Sequence, residues 1–161
     1  MRRRLLETKP GKSDQPAGPA ASDNVLTLCH MLSNRIGRAF ISDMAKFDVT
    51  IPEWRVLLTL ALHGNTSGYI IAGRWAMDKM AVNRAIARLE ERGLIEKQRN
   101  DKDRRIIDLS LTRAGRTMYD RLIPVANERY HKLMAGLDRA EARAFRDLLA
   151  KMIMHADDIA Q

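Results

Sequence analysis

Residues 78–115, DKMAVNRAIARLEERGLIEKQRNDKDRRIIDLSLTRAG, decide the fold. Asp78 is placed to cap a helix in which Val82, Ile86 and Leu89 face inward at helical spacing, and Gly93 closes it after Arg92. Leu94 to Arg99 and Ile106 to Leu111 then alternate apolar and polar residues, with Leu109 and Leu111 on one face, as half-buried strands do. Between them Asn100-Asp101-Lys102-Asp103-Arg104-Arg105 is too polar to be buried and too arginine-rich for an idle turn. Thr112 caps the helix that follows. The order is helix, two-stranded hairpin with a charged tip, helix start. From Arg84 to Arg116 ten basic residues face six acidic ones, a net of +4. A positive loop beside a positive helix suits the phosphate backbone and minor groove of DNA.

Upstream, Ser67 starts a short helix through Trp75, weakened by Gly73, and Ala76-Met77 turns the chain into the helix capped by Asp78. Two short helices joined by a tight turn, the second positive and outward-reading, give a helix-turn-helix. Its outward residues are Lys79, Met80, Ala81, Asn83, Arg84 and Arg88. Asn pairs both ways with adenine and Arg with guanine, so Asn83 and Arg84 are the best base or phosphate readers. Lys79 and Arg88 suit phosphates, and Met80 and Ala81 suit a thymine methyl. Arg88 and Arg92 have a bland alternative, pairing with Glu91 or another nearby acid, and for Arg92 that alternative is preferred.

Further out, Thr50-Ile51-Pro52-Glu53 is a helix start with a capping box, and its helix runs to Gly64-Asn65. Residues 23 to 47 make a first helix capped by Asp23. Val25, Leu28, Cys29, Leu32, Ile36, Phe40, Met44 and Phe47 form one apolar stripe along it. About seven turns of continuous stripe is long for a small domain and predicts packing against another chain. After Thr112 a helix reaches about Ala135, bent at Pro124 and ended by Gly136. Asp138 and Glu141 cap a last helix with Phe145, Leu148, Leu149, Met152 and Ile153 inward.

The 161 residues suffice for one domain with a core. Residues 1–22, rich in Pro, Gly, Ala, Ser and Lys/Arg, read as a flexible tail carrying +3 of the chain's formal +8. The tail is either a solvated terminus, the preferred reading, or an arm that touches DNA. No apolar run reaches membrane length and no signal-peptide segment is present, so a cytoplasmic protein without membrane contact is expected. Cys29 is the only cysteine, and His30, His63, His131 and His155 lie at no metal-ligand spacing. With no nucleophile-base arrangement and no phosphate-cradling glycine loop, an enzyme is not expected, nor is a cofactor or metal.

Ile51-Pro52-Glu53-Trp54-Arg55-Val56-Leu57, Val82-Asn83-Arg84, Leu89-Glu90-Glu91-Arg92-Gly93-Leu94-Ile95, Asp103-Arg104-Arg105 and Leu111-Thr112-Arg113-Ala114-Gly115 resemble the multiple antibiotic resistance regulator (MarR) family of winged-helix repressors. The likeness covers residues 24 to about 158. It implies a mainly α fold with a small β-hairpin wing: a DNA-binding lobe over about 50–111 and dimerisation helices over about 23–47 and 112–159. It also implies a homodimer on a near-palindromic double-stranded operator. Arg105 matches the wing arginine that enters the minor groove, with Asp103 steering it by a charge-assisted bond and Arg104 beside them. Many relatives respond to aromatic carboxylates, phenols or aromatic coenzyme A thioesters, so a small aromatic effector is implied. Trp54 and Trp75 lie where the family's pocket sits. Trp54 suits pocket and core equally, and Trp75 suits core packing better. His30, Ser33, Asn34, Arg38 and Arg74 either bind an anionic group in that pocket or face water or a second subunit. One branch senses peroxides through a first-helix cysteine. Cys29 sits similarly, but the tyrosines of that branch are not evident and the thiol lies in the apolar stripe, so a structural cysteine is preferred to a redox sensor.

Overall fold

A computed structural model describes residues 24–159. The flexible-tail reading of residues 1–22 and the Asp23 cap lie outside them. Helix α1 spans Val25–Ala45, and Asn24 caps it by accepting the Thr27 N–H at 2.9 Å. Helix α2 spans Ile51–His63 and starts with the expected capping box: Thr50 Oγ1 accepts from Glu53 N, and Glu53 Oε2 accepts from Thr50 N. A two-residue strand β1, Thr66–Ser67, precedes α3, Gly68–Arg74, which Ser67 caps. Helix α4 spans Lys79–Glu91 with Asp78 as its cap.

Strands β2, Ile95–Arg99, and β3, Ile107–Leu111, pair antiparallel with Ile95 opposite Leu111 and Arg99 opposite Ile107. The sheet has three strands rather than the two expected, because β1 pairs with β3 at Thr66–Leu109. A two-residue strand carries no alternation to read; only its pairing defines it. Helices α5, Arg113–Met134, and α6, Arg139–Ile159, complete the described chain. Pro124 lies inside α5 without interrupting it, and Asp138 with Glu141 closes the second capping box.

The core gathers α2, α4 and the sheet against the end of α1 and the middle of α5. Met44, Val56, Leu57, Ile71, Val82, Leu89 and Leu122 are fully shielded. At the junction of hairpin and α5 the chain passes very close to itself. Gly93 holds a positive φ of 66°, Thr112 N donates to Leu94 O, and a Cβ at Gly115 would sit 1.8 Å from that same carbonyl oxygen. The run Leu111 to Gly115 is thus a packing motif: only glycine lets α5 begin there.

One expectation is corrected. No residue of α6 is buried within the chain. Phe145 and Leu149 are half-covered, whereas Leu148, Met152 and Ile153 are exposed. The α1 stripe divides likewise, with Met44 buried and Val25, Leu28 and Ile36 exposed. The spacing correctly marks an apolar face, but nothing among the described residues covers it.

Candidate nucleic-acid interface and effector cavity

Helix α4 buries Val82, Ala85, Ile86 and Leu89 and so turns Lys79, Met80, Asn83, Arg84 and Arg88 outward, with Ala81 half-covered. Asn83 and Arg105 come together across a concavity of about 720 Å³ between the helix-turn-helix and the hairpin. Ser67, Tyr69, Ile70, Lys97 and Ile106 also line it. Tyr69 and Ile70 are exposed, and the Lys79 ammonium lies 5.3 Å from the Tyr69 ring centre. Sequence reading passed over Tyr69 and Ile70; two bulky apolar residues in the first turn of a short helix, with no inward partner position, were the available signal.

The hairpin tip is a built loop. Asn100 Oδ1 accepts the N–H groups of Lys102 and Asp103 at 2.9 and 3.0 Å, and Asn100 Nδ2 donates to Asp108 Oδ2 at 2.6 Å. Asp103 does not steer Arg105 through its guanidinium, as the sequence suggested. Its Oδ1 accepts the Arg105 backbone N–H at 3.0 Å, and its carbonyl accepts from Ile106 N. A carboxylate two residues upstream meets the backbone first, as in an Asx turn. Among the described residues neither Arg104 nor Arg105 has an ion-pair partner, so both guanidinium groups project from a fixed tip.

Arg88 is placed differently from its neighbours. Its Nε lies 3.1 Å from Glu53 Oε1 and its Nη2 3.6 Å from Asp48 Oδ1. Arg92 reaches the same turn, donating to the carbonyls of Asp48 and Phe47. The acids and carbonyls that pair these arginines come from the α1–α2 turn and α2, not from Glu91, because the 84–88–92 edge of α4 runs onto that turn.

A second cavity, of about 880 Å³, opens between α1, the start of α2 and α6. Ser33, Asn34, Arg38, Trp54 and Trp75 line it. His30 and Arg74 do not: His30 is exposed on α1, and Arg74 lines a smaller neighbouring hollow of about 420 Å³ with His63 and Ile153. Trp54 is core and wall together, buried and stacked on Tyr119 at 6.1 Å with the rings 8° apart. Trp75 donates its indole N–H to Thr59 Oγ1 at 2.9 Å, and the Arg55 guanidinium sits 5.1 Å from its ring centre. Arg55 is a cation on this wall that its sequence pattern does not single out, and its place one residue after Trp54 is the one available signal. Cys29 lines the same wall, half-covered beside Val25, Leu28 and Leu32, and among the described residues no group hydrogen-bonds its thiol.

An ion pair joins α1 to α5. Arg129 Nε donates to Asp43 Oδ2 at 2.7 Å, and Lys46 Nζ lies 3.2 Å from Asp43 Oδ1. The Arg129 hydrogen bond holds the Asp43 carboxyl below its usual pKa range; burial pulls the other way, and Lys46 adds to the lowering. No group of three or more potential metal ligands occurs among the described residues. No described helix is long and apolar enough to cross a membrane.

The model of the MarR family matches residues 49–107, which contain α2, the helix-turn-helix and the hairpin up to the start of β3. The transcriptional repressor MdtR of Bacillus subtilis is 31% identical over 84% of this chain and 87% of its own. The chain belongs to the MarR family. As a MarR-family protein it is a DNA-binding transcriptional regulator and not an enzyme. The structure of BpsR from Bordetella bronchiseptica, whose DNA binding is regulated by 6-hydroxynicotinic acid, matches with a TM-score of 0.74 and 29% identity. That match covers 84% of this chain and 97% of BpsR. A MarR mutant from E. coli complexed with operator DNA shares the fold, with a TM-score of 0.69 at 22% identity over 78% of this chain and 90% of its own.

Proposed function

We propose that this MarR-family regulator is a homodimeric repressor released from a near-palindromic operator by a small aromatic acid. The observation that carries the effector class is the Arg55–Trp75 pair on the wall of the 880 Å³ cavity. An aromatic ring needs an apolar slot and a carboxylate needs a cation at its edge. Trp54, Trp75 and Phe40 supply the first; Arg55 and Arg38 supply the second, with Ser33 and Asn34 as further donors. The regulation of BpsR by 6-hydroxynicotinic acid supports the same class.

The exposed apolar faces support the dimer. Val25, Leu28, Leu148, Met152, Ile153 and Met154 form surface that a second copy would cover through α1, α5 and α6. Two-fold symmetry then places two α4 helices on successive turns of DNA, with α2 to β3 as each DNA-binding lobe. Asn83 and Arg84 are the base readers, Arg104 and Arg105 enter the minor groove, and Lys79 with Met80 and Ala81 completes the α4 contact. An effector acts only through a difference in affinity between DNA-bound and free forms. The cavity borders both α2 and α6, which gives it a purchase on both lobes.

The test is operator binding by fluorescence anisotropy on the promoter fragment next to the coding gene, with a panel of aromatic acids and their coenzyme A thioesters. Saturable binding released by one acid is expected. Release by none of them, with specific DNA binding intact, overturns the effector class and leaves the regulator reading standing.

A further inference from the structure

Among the described residues Glu53 is the only acid with no solvent exposure. A buried carboxylate is costly unless it is paired. One oxygen is accounted for, since Oε2 accepts the Thr50 N–H at 2.7 Å and closes the α2 capping box. The other, Oε1, accepts no hydrogen bond, and the cation it faces is Arg88 of α4, with Nε at 3.1 Å. A capping box needs only an acceptor at this position, and glutamine serves as well as glutamate. The negative charge at residue 53 therefore has its reason in Arg88.

Arg88 is half-exposed and carries the outward spacing of a phosphate contact, one helical turn after Arg84. Its guanidinium is nevertheless held between Glu53 and Asp48. Arg92, a further turn along, holds the backbone of the same α1–α2 turn. Recognition helices present base readers from their N-terminal half. Here the C-terminal half is tied to α2.

We propose that Arg88 and Glu53 are a positioning pair that sets the orientation of α4 for operator binding, and that Arg88 does not itself contact phosphate. Glu53 adjoins Trp54 and lies within the turn that carries Ile51 and Arg55, all three of them cavity-wall residues. The pair thereby joins the cavity wall to the DNA-reading helix. The proposal concerns the family's DNA binding and stands whether or not the effector is an aromatic acid.

The experiment measures operator affinity of the full chain across a salt series for the unaltered protein, Glu53→Gln, Arg88→Gln and the double variant. Active fractions come from stoichiometric titration and folding from thermal melts. Glu53→Gln removes a negative charge from a chain of formal charge +8, so Coulomb attraction alone predicts tighter DNA binding. Positioning predicts the opposite sign, a loss on the order of tenfold. Arg88→Gln should lose a similar factor with the salt slope unchanged, and the double variant should be no worse than the poorer single. Unchanged or tighter binding by Glu53→Gln overturns the proposal. So does a salt slope shallower by about 0.9 per DNA-binding arginine in Arg88→Gln, the signature of a lost phosphate contact. Should Glu53→Gln fail to fold, the Arg88→Gln slope decides alone.

Discussion

Trp75 donates its indole N–H to the Thr59 hydroxyl at 2.9 Å, and that hydroxyl in turn donates its O–H to the Arg55 carbonyl at 2.7 Å. The two bonds fix the ring against which the Arg55 guanidinium lies. Thr59→Val keeps the shape but leaves a half-buried indole N–H without its acceptor, a cost of about 1–3 kcal/mol. The variant should melt several degrees lower in a thermal scan. A melting point equal to that of the parent protein would show that water replaces the hydroxyl.

Arg55→Ala separates effector reading from DNA reading. Arg55 lines the cavity, and among the described residues no hydrogen bond or ion pair joins its guanidinium to α4 or the hairpin tip. Apparent affinity for an aromatic acid should fall at least about tenfold, the effect of losing roughly 1.4 kcal/mol from a charge-assisted contact. Operator affinity without effector should stay as it was. Competition titrations on operator DNA read both quantities, and an unaltered effector response would move the carboxylate to Arg38.

Gly115→Ala tests the close approach of α5 to the hairpin. The added carbon would meet the Leu94 carbonyl oxygen at 1.8 Å and the Leu94 carbonyl carbon at 2.9 Å. Both atoms are backbone, so relief requires moving β2 or the start of α5. A loss of several kcal/mol is expected, on the order of the largest single-substitution effects. Chemical denaturation checks it, and a change below about 1 kcal/mol would mean that the junction yields easily.

The Asp43–Arg129 pair gives a pH dependence whose sign is set by the lowered Asp43 pKa. A carboxylate with a folded pKa below its unfolded value adds stability that is complete above the unfolded value of about 4. That contribution is lost as pH falls through the lowered folded value. Arg129→Ala removes the main cause of the lowering. The parent protein should therefore be more stable than Arg129→Ala at pH 7, with the gap closing below about pH 4. Urea denaturation at both pH values measures it, and a gap that persists in acid would assign the loss to packing of the Arg129 stem.

Most of the fold was legible because its signals are local. Capping residues Thr50, Ser67, Asp78, Thr112 and Asp138 mark helix starts by chemistry that acts within three residues. Strand β1 escaped because its identity rests on Leu109, more than forty residues away. The inward face assigned to α6 failed for a related reason: spacing reveals that Leu148 and Ile153 share a face but not what covers it. At the site, outward helical spacing singled out Asn83 and the family resemblance singled out Arg105, and the two line one concavity. The Arg88–Glu53 contact and the Arg55–Trp75 contact could not be found that way, since each joins helices whose relative placement only packing determines.

The wing and the reading helix should fail in different ways when altered. Arg105 projects from a tip whose backbone is held by Asn100 and Asp103, so Arg105→Ala removes a charge without loosening the loop. Operator affinity should fall with modest loss of sequence choice, and the salt slope should become shallower by about 0.9 per arginine. Asn100→Ala should reproduce the affinity loss while keeping every cation, because the acceptor of the Lys102 and Asp103 N–H groups is gone and the tip no longer presents Arg105 in one place. Asn83→Ala should instead lose about 1–3 kcal/mol of discrimination at one position of each half-site. Titrations of each variant against the operator, its single-base variants and random DNA distinguish the three. A uniform loss for Asn83→Ala across all sequences would make it a phosphate contact, and unchanged affinity for Arg105→Ala would take the wing out of the DNA interface.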